Sequence, residues 1–293
     1  MYLESQLQLP SPLQEIKEWS DSNTQYFIKR DDLIDSYISG NKYRKLKGHL
    51  IYYFKNQRKY SDGIVTYGGA YSNHLYSAAS ACKNLDIQMT AIVRGLEVDM
   101  NNQTLSHVVQ CGTEIIKISR TEYRKKDKGE VVSRLIKNGN YLIVPEGGNN
   151  NHARLGVKEL VNEIYNTLTP DFICLMSGTG ATAEGILNEI KGSQTNLIVC
   201  SAVRDESVKQ RILQQDAYNQ VVWRDELWGG FGKSRPDLIN TMDQVIKETS
   251  IPLEYVYSGR LMAHLTLLRK ENYFPNHSKV VIIHTGGLRV SSH

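Results

Sequence analysis

Two kinds of segment alternate along this chain, and the alternation limits the folds open to it. Short apolar runs rich in β-branched residues have the length of buried strands, and longer stretches with apolar residues three or four positions apart are typical of amphipathic helices. The predicted strands are Tyr26–Lys29, Gly63–Tyr67, Met89–Val93, Glu114–Ile118, Tyr141–Val144, Phe172–Met176, Leu197–Ala202 and Val280–His284. The predicted helices include Tyr43–Phe54, Asn73–Asn84, Asn102–Gln110, Gly129–Asn138, Leu155–Tyr165 and Ala183–Lys191. Such alternation predicts an α/β fold with mostly parallel sheets and helices on both faces.

Composition excludes several classes of protein. With 40% hydrophobic and 23% charged residues the composition is that of an ordinary soluble protein, and the length of 293 residues suits one large domain or two modest ones. The net charge of +4 is small, so we expect no nucleic-acid partner. The four cysteines are scattered with no CxxC pair, which argues against a zinc site or a disulfide framework. No leader-like segment and no run of ~18 apolar residues is present, so we expect a cytoplasmic protein without a membrane span.

Glycine- and hydroxyl-rich junctions between strands and helices are the places to look for a site. In open α/β sheets, ligands bind at the carboxyl ends of the strands, where loops lead into helix N-termini. Four such junctions stand out: Gly68–His74, Glu146–Asn151, Ser177–Thr182 and His284–Gly287.

The junction Ser177–Thr182 has the sequence SGTGAT and follows an apolar strand. Glycines allow successive N–H groups to converge at a helix start, where the helix dipole favours a phosphate, and the Thr179 and Thr182 hydroxyls are additional donors. The same letters satisfy GxGxxA through Gly178, Gly180 and Ala183, which leaves a dinucleotide site open. That fingerprint belongs to the first βα turn, however, with an acid about 20 residues later. A plain glycine turn is the third interpretation.

Two further segments contain candidate polar groups. Ser72-Asn73-His74 opens a predicted helix after two glycines. A single Ser or Asn there would be an N-cap, but three consecutive donors suggest a pocket for a carboxylate or a ring oxygen. Lys42 follows Gly-Asn at another helix start, where the dipole disfavours the ammonium form, as a Schiff-base lysine requires. The residues alone favour a solvated helix-start lysine over this role, and Lys45 and Lys47 on the same helix are competitors for it.

Taken together, these segments resemble one family of enzymes. The matching segments occur in the family's order from about Leu9 to Gly287; they are Tyr26–Leu33, Ser39–Leu46, Ser72–His74, Pro145–Gly148, Ser177–Gly180, Val256–Gly259 and His284–Gly287. They resemble the D-cysteine desulfhydrase and 1-aminocyclopropane-1-carboxylate (ACC) deaminase family. These are two-domain pyridoxal 5'-phosphate (PLP) enzymes of the tryptophan-synthase β type, also called fold type II.

The resemblance implies a role for each candidate residue. Lys42 would carry the cofactor as a Schiff base and shuttle protons, with Ser72 and Tyr257 as the other catalytic residues. The cofactor would also contact Asn73 at its ring oxygen, Ser258 at its ring nitrogen and the phosphate loop Gly178, Thr179, Gly180, Ala181 and Thr182. The residues implied to contact a small amino-acid substrate are Ser72, Asn73, His74, Phe231, Tyr257 and Thr285.

The family also implies an organisation and a reaction. A large PLP-binding domain would comprise residues 1–47 and 156–293, a small inserted domain residues 48–155, and the enzyme would be a homodimer. Ser258 and Thr285 match the desulfhydrase pattern, whereas ACC deaminases have glutamate and leucine there. We therefore expect β-elimination from D-cysteine to pyruvate, ammonia and sulfide. Phe231 stands where the family usually has tyrosine, so a pocket hydroxyl is missing.

Other activities are open at this point. Within the fold they are ACC deamination, elimination from a cysteine sulfonate, racemisation and a β-replacement synthase reaction. From other classes they are an NAD(P)-binding oxidoreductase that uses the glycine loop, and a non-catalytic PLP-binding protein.

Overall fold

The structure is a computed structural model that describes residues 7–38, 40–225, 227–230, 232–233 and 235–288. Its strands are β1 Leu13–Glu15, β2 Thr24–Arg30, β3 Gly63–Gly68, β4 Met89–Arg94, β5 Glu114–Ile118, β6 Tyr141–Val144, β7 Phe172–Ser177, β8 Asn196–Ser201, β9 Val221–Arg224 and β10 Ser278–His284. Its α-helices are α1 Gly40–Lys55, α2 Asn73–Asn84, α3 Gln103–Gln110, α4 Arg120–Arg124, α5 Glu130–Asn138, α6 Arg154–Tyr165, α7 Ala181–Ile190, α8 Glu206–Leu213, α9 Pro236–Thr249 and α10 Ser258–Lys270. Within the described residues no helix is long and apolar enough to cross a membrane.

The chain divides into two compact units. The first unit contains Asp35–Ile38 and Lys42–Gly156, and the second contains Gln8–Ile34, residues 40–41 and the chain from Val157 onward. The divisions therefore fall after Leu7, Ile34 and Ile38, in the first turn of α1 and within α6.

The second unit is built on a six-stranded sheet of order β1-β2-β10-β7-β8-β9. All neighbouring strands run parallel except β1, which pairs antiparallel with β2. Because side chains alternate across a strand, β7 supplies both faces of this sheet. Phe172, Cys174 and Met176 pack into one apolar cluster with α10, and Ile173 and Leu175 pack into another with α6 and α7. Burial on both faces fits the uninterrupted apolar sequence of the strand.

The first unit is built on a four-stranded sheet of order β5-β4-β3-β6, in which every pair is parallel. Val65, Tyr67 and Ile92 form the centre of its apolar cluster, and α4 and α5 contribute Tyr123 and Val132. Helix α2 lies against β3 and β4. The carboxyl ends of β3 and β6 thus lead into two of the predicted junctions.

The predicted strands and the α/β class are confirmed, with differences at the ends of elements. Asn102 and Gly129, predicted as helical, are the N-caps of α3 and α5. The strands β1 and β9 were not predicted, because three and four residues are too short to show a period. Each lies at an edge of the six-stranded sheet, where pairing with a single neighbour defines it.

Candidate functional site

The start of α1 is fixed by the loop that follows β10. The N–H of Asn41 donates to the carbonyl oxygen of Thr285 at 3.1 Å. Gly40 has φ +61°, and a Cβ there would lie 1.8 Å from the same oxygen. Only glycine can occupy this position. The backbone at Gly40 and Asn41 is therefore held in one position, immediately before Lys42.

The amine of Lys42 has the property that a Schiff-base lysine needs. Its side chain is partly buried, and burial lowers the pKa of Lys42 to about 8. At pH 7 roughly one amine in ten is then neutral, against about one in 3,000 for a lysine of ordinary pKa. The helix dipole was the expected cause of a lowered pKa, but desolvation is the cause found here. Lys45 and Lys47 are also buried and take part in other interactions.

Ser72 and Asn73 stand at the N-terminus of α2. Ser72 is the N-cap, and its Oγ accepts the N–H of Leu75 at 3.2 Å. The N-cap interpretation of this serine is therefore confirmed, yet its hydroxyl proton can still be donated. Asn73 is the first helical residue and is partly buried.

His74 is buried and neutral, in a single tautomer. The Thr66 hydroxyl donates to the carbonyl of Val144 at 2.9 Å, so at 2.7 Å it must accept the Nε2–H of His74. Burial, and then the nearby positive charge of Lys42, hold the pKa of His74 well below its usual value. Its Nδ1 is buried and has no hydrogen-bond partner in the part of the chain that the structure describes. This nitrogen offers an acceptor, whereas the implied contact with a substrate carboxylate requires a donor.

A second buried histidine, His49 on α1, was missed in the sequence. Its Nε2 lies 3.1 Å from the carbonyl oxygen of Gly148 and donates to it, and its Nδ1 has no hydrogen-bond partner among the described residues. Burial lowers the pKa of His49 to about 4. The only sequence signal was its position one turn after Lys45 on the same helix.

The loop Glu146–Gly148 lies beside these groups in the first unit. Gly147 and Gly148 have φ +69° and +71°. A Cβ on Gly148 would come within 3.4 Å of the Lys45 Cβ and 3.5 Å of the His74 Cε1. At the other end of the loop, Glu146 pairs with Lys126 at 2.6 Å. The glycines therefore allow the backbone to approach the histidine and lysine side chains closely.

The second unit contains the predicted phosphate loop at the carboxyl end of β7. Helix α7 begins after Gly180, whose φ is +87°, and no side chain of the described residues caps its first N–H groups. A Cβ on Gly178 would lie 3.1 Å from the Tyr257 Oη, so the hydroxyl of this tyrosine packs against the loop. Thr182, in the first turn of α7, is buried. Uncapped N–H groups and a glycine loop fit an anion the size of phosphate.

Ser258 begins α10 beside a partly buried acid, Glu254, that was also missed. The carboxylate of Glu254 accepts the backbone N–H groups of Val256, Tyr257 and Ser258 at 2.6–2.7 Å. In return, the Ser258 Oγ accepts the N–H of Glu254 at 2.9 Å. Burial raises the pKa of Glu254, and burial followed by the Glu254 charge raises that of Tyr257. Glu254 therefore caps the helix on which the two predicted site residues stand.

The loop after β10 is held by His284. Its Nε2 donates to the carbonyl of Pro252 at 2.9 Å, and its Nδ1 accepts the N–H of Gly286 at 3.2 Å. Thr285, between these two residues, is buried. Phe231 lies outside the described residues.

The predicted residues thus form two groups, one in each unit. The first unit brings Lys42, Lys45, His49 and His74 within electrostatic reach of one another. The second unit brings Gly178 against Tyr257, and Thr285 against the start of α1. Each unit offers one of the features that PLP needs: the first has an amine of lowered pKa that suits its carbonyl, and the second has uncapped backbone donors that suit its phosphate.

Comparison with known proteins identifies the family. The model of the family described as "Pyridoxal-phosphate dependent enzyme" matches residues 4–286. A provisionally named ACC deaminase of Pyrococcus horikoshii is 26% identical, over 91% of this chain and 86% of its own. A D-cysteine desulfhydrase of Klebsiella pneumoniae is 25% identical, over 95% and 92%. The fold matches a solved ACC deaminase homologue with a TM-score of 0.80 and 23% identity, over 95% and 89%. The chain belongs to the pyridoxal-phosphate dependent enzymes, and its cofactor is PLP.

Proposed function

We propose that this enzyme eliminates sulfide from D-cysteine or a closely related small amino acid, giving pyruvate and ammonia. The observation that carries the proposal is the environment of Ser258, where a neutral hydroxyl rather than a free carboxylate is available at the start of α10. The D-cysteine desulfhydrase and the ACC deaminase are similar to this chain to almost the same extent, so the choice between their reactions rests on the site.

Four elements would hold the cofactor. Lys42 would bind it covalently, the loop Gly178–Thr182 would bind its phosphate, Asn73 its ring oxygen and Ser258 its ring nitrogen. When bound, PLP supplies an electron sink for the negative charge left on the substrate α-carbon. The protein then has to orient the substrate, move protons and set the charge at the ring nitrogen.

Lys42 is the group that we assign to proton transfer. A pKa of about 8 lets the Nζ accept a proton from the α-carbon and return it near neutral pH. His74 and His49 are neutral at that pH, because their pKa values are lowered, and so add no positive charge beside the amine.

Ser258 sets the charge at the ring nitrogen. Its Oγ accepts the N–H of Glu254 at 2.9 Å and donates to the Glu254 Oε1 over a long 3.4 Å, so its proton could be donated to that nitrogen in exchange for the long contact. The Glu254 carboxylate accepts three backbone N–H groups at 2.6–2.7 Å and the Ser258 hydroxyl at 3.4 Å, so Ser258 lies between this acid and the position that we assign to the ring. A hydroxyl cannot hold a proton on the nitrogen by charge, so a cofactor ring placed beside Ser258 would stay neutral and would withdraw electrons less strongly. Weaker electron withdrawal is sufficient to expel a thiolate, which is a good leaving group. Opening the cyclopropane ring of ACC makes carbon the leaving group, and because carbon leaves far less readily than sulfur, that reaction needs stronger withdrawal.

The substrate carboxylate needs donors, and the first turn of α2 offers two. The Ser72 hydroxyl and the Asn73 amide can both donate, whereas His74 presents a lone pair. We therefore assign the carboxylate to Ser72 and Asn73, and we assign His74 to orienting that turn through Thr66. Tyr257, Thr285 and Phe231 would complete the substrate pocket, and the phenyl ring of Phe231 favours a side chain that needs no hydroxyl partner.

A parallel assay of D-cysteine and ACC tests the proposal. We expect pyruvate and sulfide from D-cysteine and little 2-oxobutanoate from ACC. Turnover of ACC equal to or faster than that of D-cysteine would overturn the proposed reaction. Activity on neither would move the substrate elsewhere, and mass spectrometry of products from a panel of D- and L-amino acids would then identify it.

The remaining proposals concern organisation. We assign cofactor binding to a large domain of residues 1–47 and 156–293, and we assign residues 48–155 to a small inserted domain. The active enzyme would be cytoplasmic. It would also be a homodimer, and sedimentation of the purified protein tests this oligomeric state.

A further inference from the structure

Arg211 of α8 contacts the back of the glycine loop in the second unit. Its Nη2 donates to the carbonyl oxygen of Thr179 at 2.6 Å, and its Nε donates to the carboxylate of Glu184 on α7 at 2.5 Å. One planar guanidinium therefore connects the loop to the helix that follows it. This fork geometry is available to arginine and not to lysine.

The contact with Thr179 determines the direction of the next amide. The peptide bond between Thr179 and Gly180 is trans, because the only cis bond among the described residues joins Leu9 and Pro10. In a trans peptide the C=O and the following N–H point in opposite directions. A carbonyl held toward Arg211 therefore turns the N–H of Gly180 away from α8.

The same side of the loop has no room for a side chain. A Cβ on Gly180 would lie 2.8 Å from the Arg211 Nη2 and 3.0 Å from the Val208 Cγ1. Helix α8 thus closes one side of the loop, while Tyr257 contacts it at Gly178. The N–H of Gly180 precedes the uncapped first turn of α7, so it joins the N–H groups that can bind an anion there.

We propose that Arg211 is a positioning residue of the PLP phosphate site, which fixes the Thr179 carbonyl so that the Gly180 N–H faces the phosphate. The inference rests on the proposed placement of the phosphate at Gly178–Thr182. Its action is mainly geometric, because the adjacent carboxylate of Glu184 offsets the charge of Arg211. A residue that merely stabilised the fold would change the affinity for every ligand of the site equally. Arg211, by contrast, should change the affinity only for ligands that carry the phosphate.

The test compares two ligands that differ only in the phosphate. The dissociation constants of PLP and of pyridoxal, which lacks the phosphate, are measured by absorbance with the apo form of the full-length chain. For Arg211→Met we expect PLP affinity to fall about 10- to 100-fold, which corresponds to the loss of one or two hydrogen bonds to a charged group. Pyridoxal affinity should change less than threefold. Arg211→Lys keeps the charge but not the fork, so it should lose a substantial part of the PLP affinity.

A matched control comes from the same helix. Lys209→Met also removes one positive charge from α8, at a side chain that pairs with Asp225 at 3.4 Å, and it should leave both affinities unchanged. Equal losses for PLP and pyridoxal, or a full rescue by Arg211→Lys, would overturn the proposal. If Arg211→Met does not fold, the dissociation constants of PLP and pyridoxal are compared in the same way for Arg211→Lys and Glu184→Gln. Failure of the wild-type protein to prefer PLP over pyridoxal would instead refute the placement of the phosphate.

Discussion

The carboxylate of Glu254 accepts the backbone N–H of Ser258 at 2.7 Å, and the Ser258 Oγ accepts the N–H of Glu254 at 2.9 Å. The residue that we assign to the ring nitrogen therefore has a partly buried acid beside it. Any carboxylate introduced at position 258 would meet the negative charge of Glu254. Two carboxylates this close cannot both ionise readily.

The first prediction concerns the reaction that the site favours. Ser258→Glu alone should change the ratio of ACC to D-cysteine turnover only weakly, because Glu254 raises the pKa of the new acid. In the double variant Glu254→Gln/Ser258→Glu the new carboxylate can ionise, so the ratio should rise about tenfold further. Both variants should retain the cofactor, measured by absorbance. The double variant should also lose about 1–2 kcal/mol of unfolding free energy, since Gln caps α10 less well.

Glu254→Gln alone is the control for this comparison. If Ser258→Glu and Glu254→Gln/Ser258→Glu have the same ratio of ACC to D-cysteine turnover, Glu254 has no electrostatic effect on position 258. Loss of the cofactor from Ser258→Glu would mean that Ser258 is a structural residue.

The second prediction identifies the lysine. The purified enzyme should be yellow, and borohydride reduction followed by peptide mapping should find the phosphopyridoxyl group on Lys42. The reason is that burial gives Lys42 a pKa of about 8 in the first turn of α1. Lys45→Met is the matched control from the same helix and should leave the label in place. A label on Lys45 or Lys47 would refute the assignment.

The third prediction concerns the pH dependence of stability of the apoprotein. The pKa of Lys42 is about 8 in the folded chain and near 10.5 in the unfolded chain. Between these values the unfolded chain binds a proton that the folded chain does not, so stability rises with pH from 8 to 10.5. The burial penalty, about 3 kcal/mol, is fully present below pH 8.

Lys42→Met removes this penalty, and urea unfolding of both apoproteins measures it. The variant should be more stable than the wild type at pH 7.5, and its advantage should shrink by about 2 kcal/mol at pH 9.5. A difference that stays constant between these two values would show that the amine of Lys42 is not desolvated.

The fourth prediction concerns acid. His49 is neutral in the folded chain, with a pKa of about 4, whereas its unfolded value is 6.5. Its neutral form contributes stability that is fully present above pH 6.5 and is lost as the pH falls from 6.5 to 4. The loss amounts to about 3 kcal/mol in unfolding free energy.

His49→Gln keeps an N–H donor for the Gly148 carbonyl and cannot take up a proton. The variant should lose less stability than the wild type between pH 7 and pH 4.5, as measured by urea unfolding. His277→Asn, at an exposed histidine, should follow the wild type. Parallel curves for His49→Gln and the wild type would refute the assignment of this acid sensitivity to His49.

Local sequence determined much of this protein. The apolar strand Phe172–Ser177 is buried on both faces, and its uninterrupted composition already predicts that burial. The glycines around Thr179 and the helix start at Ser72 could be found because turn and cap chemistry depend on neighbouring residues. Lys42 could be proposed because its Gly-Asn-Lys setting combines a helix start with a family motif.

Contacts between distant segments were decided only by the tertiary structure. Thr285 meets Asn41, and Arg211 meets Thr179, across 244 and 32 positions of the chain, and no local pattern encodes either contact. The tertiary structure alone likewise decided the roles of His49 and Glu254 and the tautomer of His74. Their charge states depend on burial and on hydrogen-bond partners that only the folded chain brings together, because desolvation and hydrogen bonding act through space and not along the sequence.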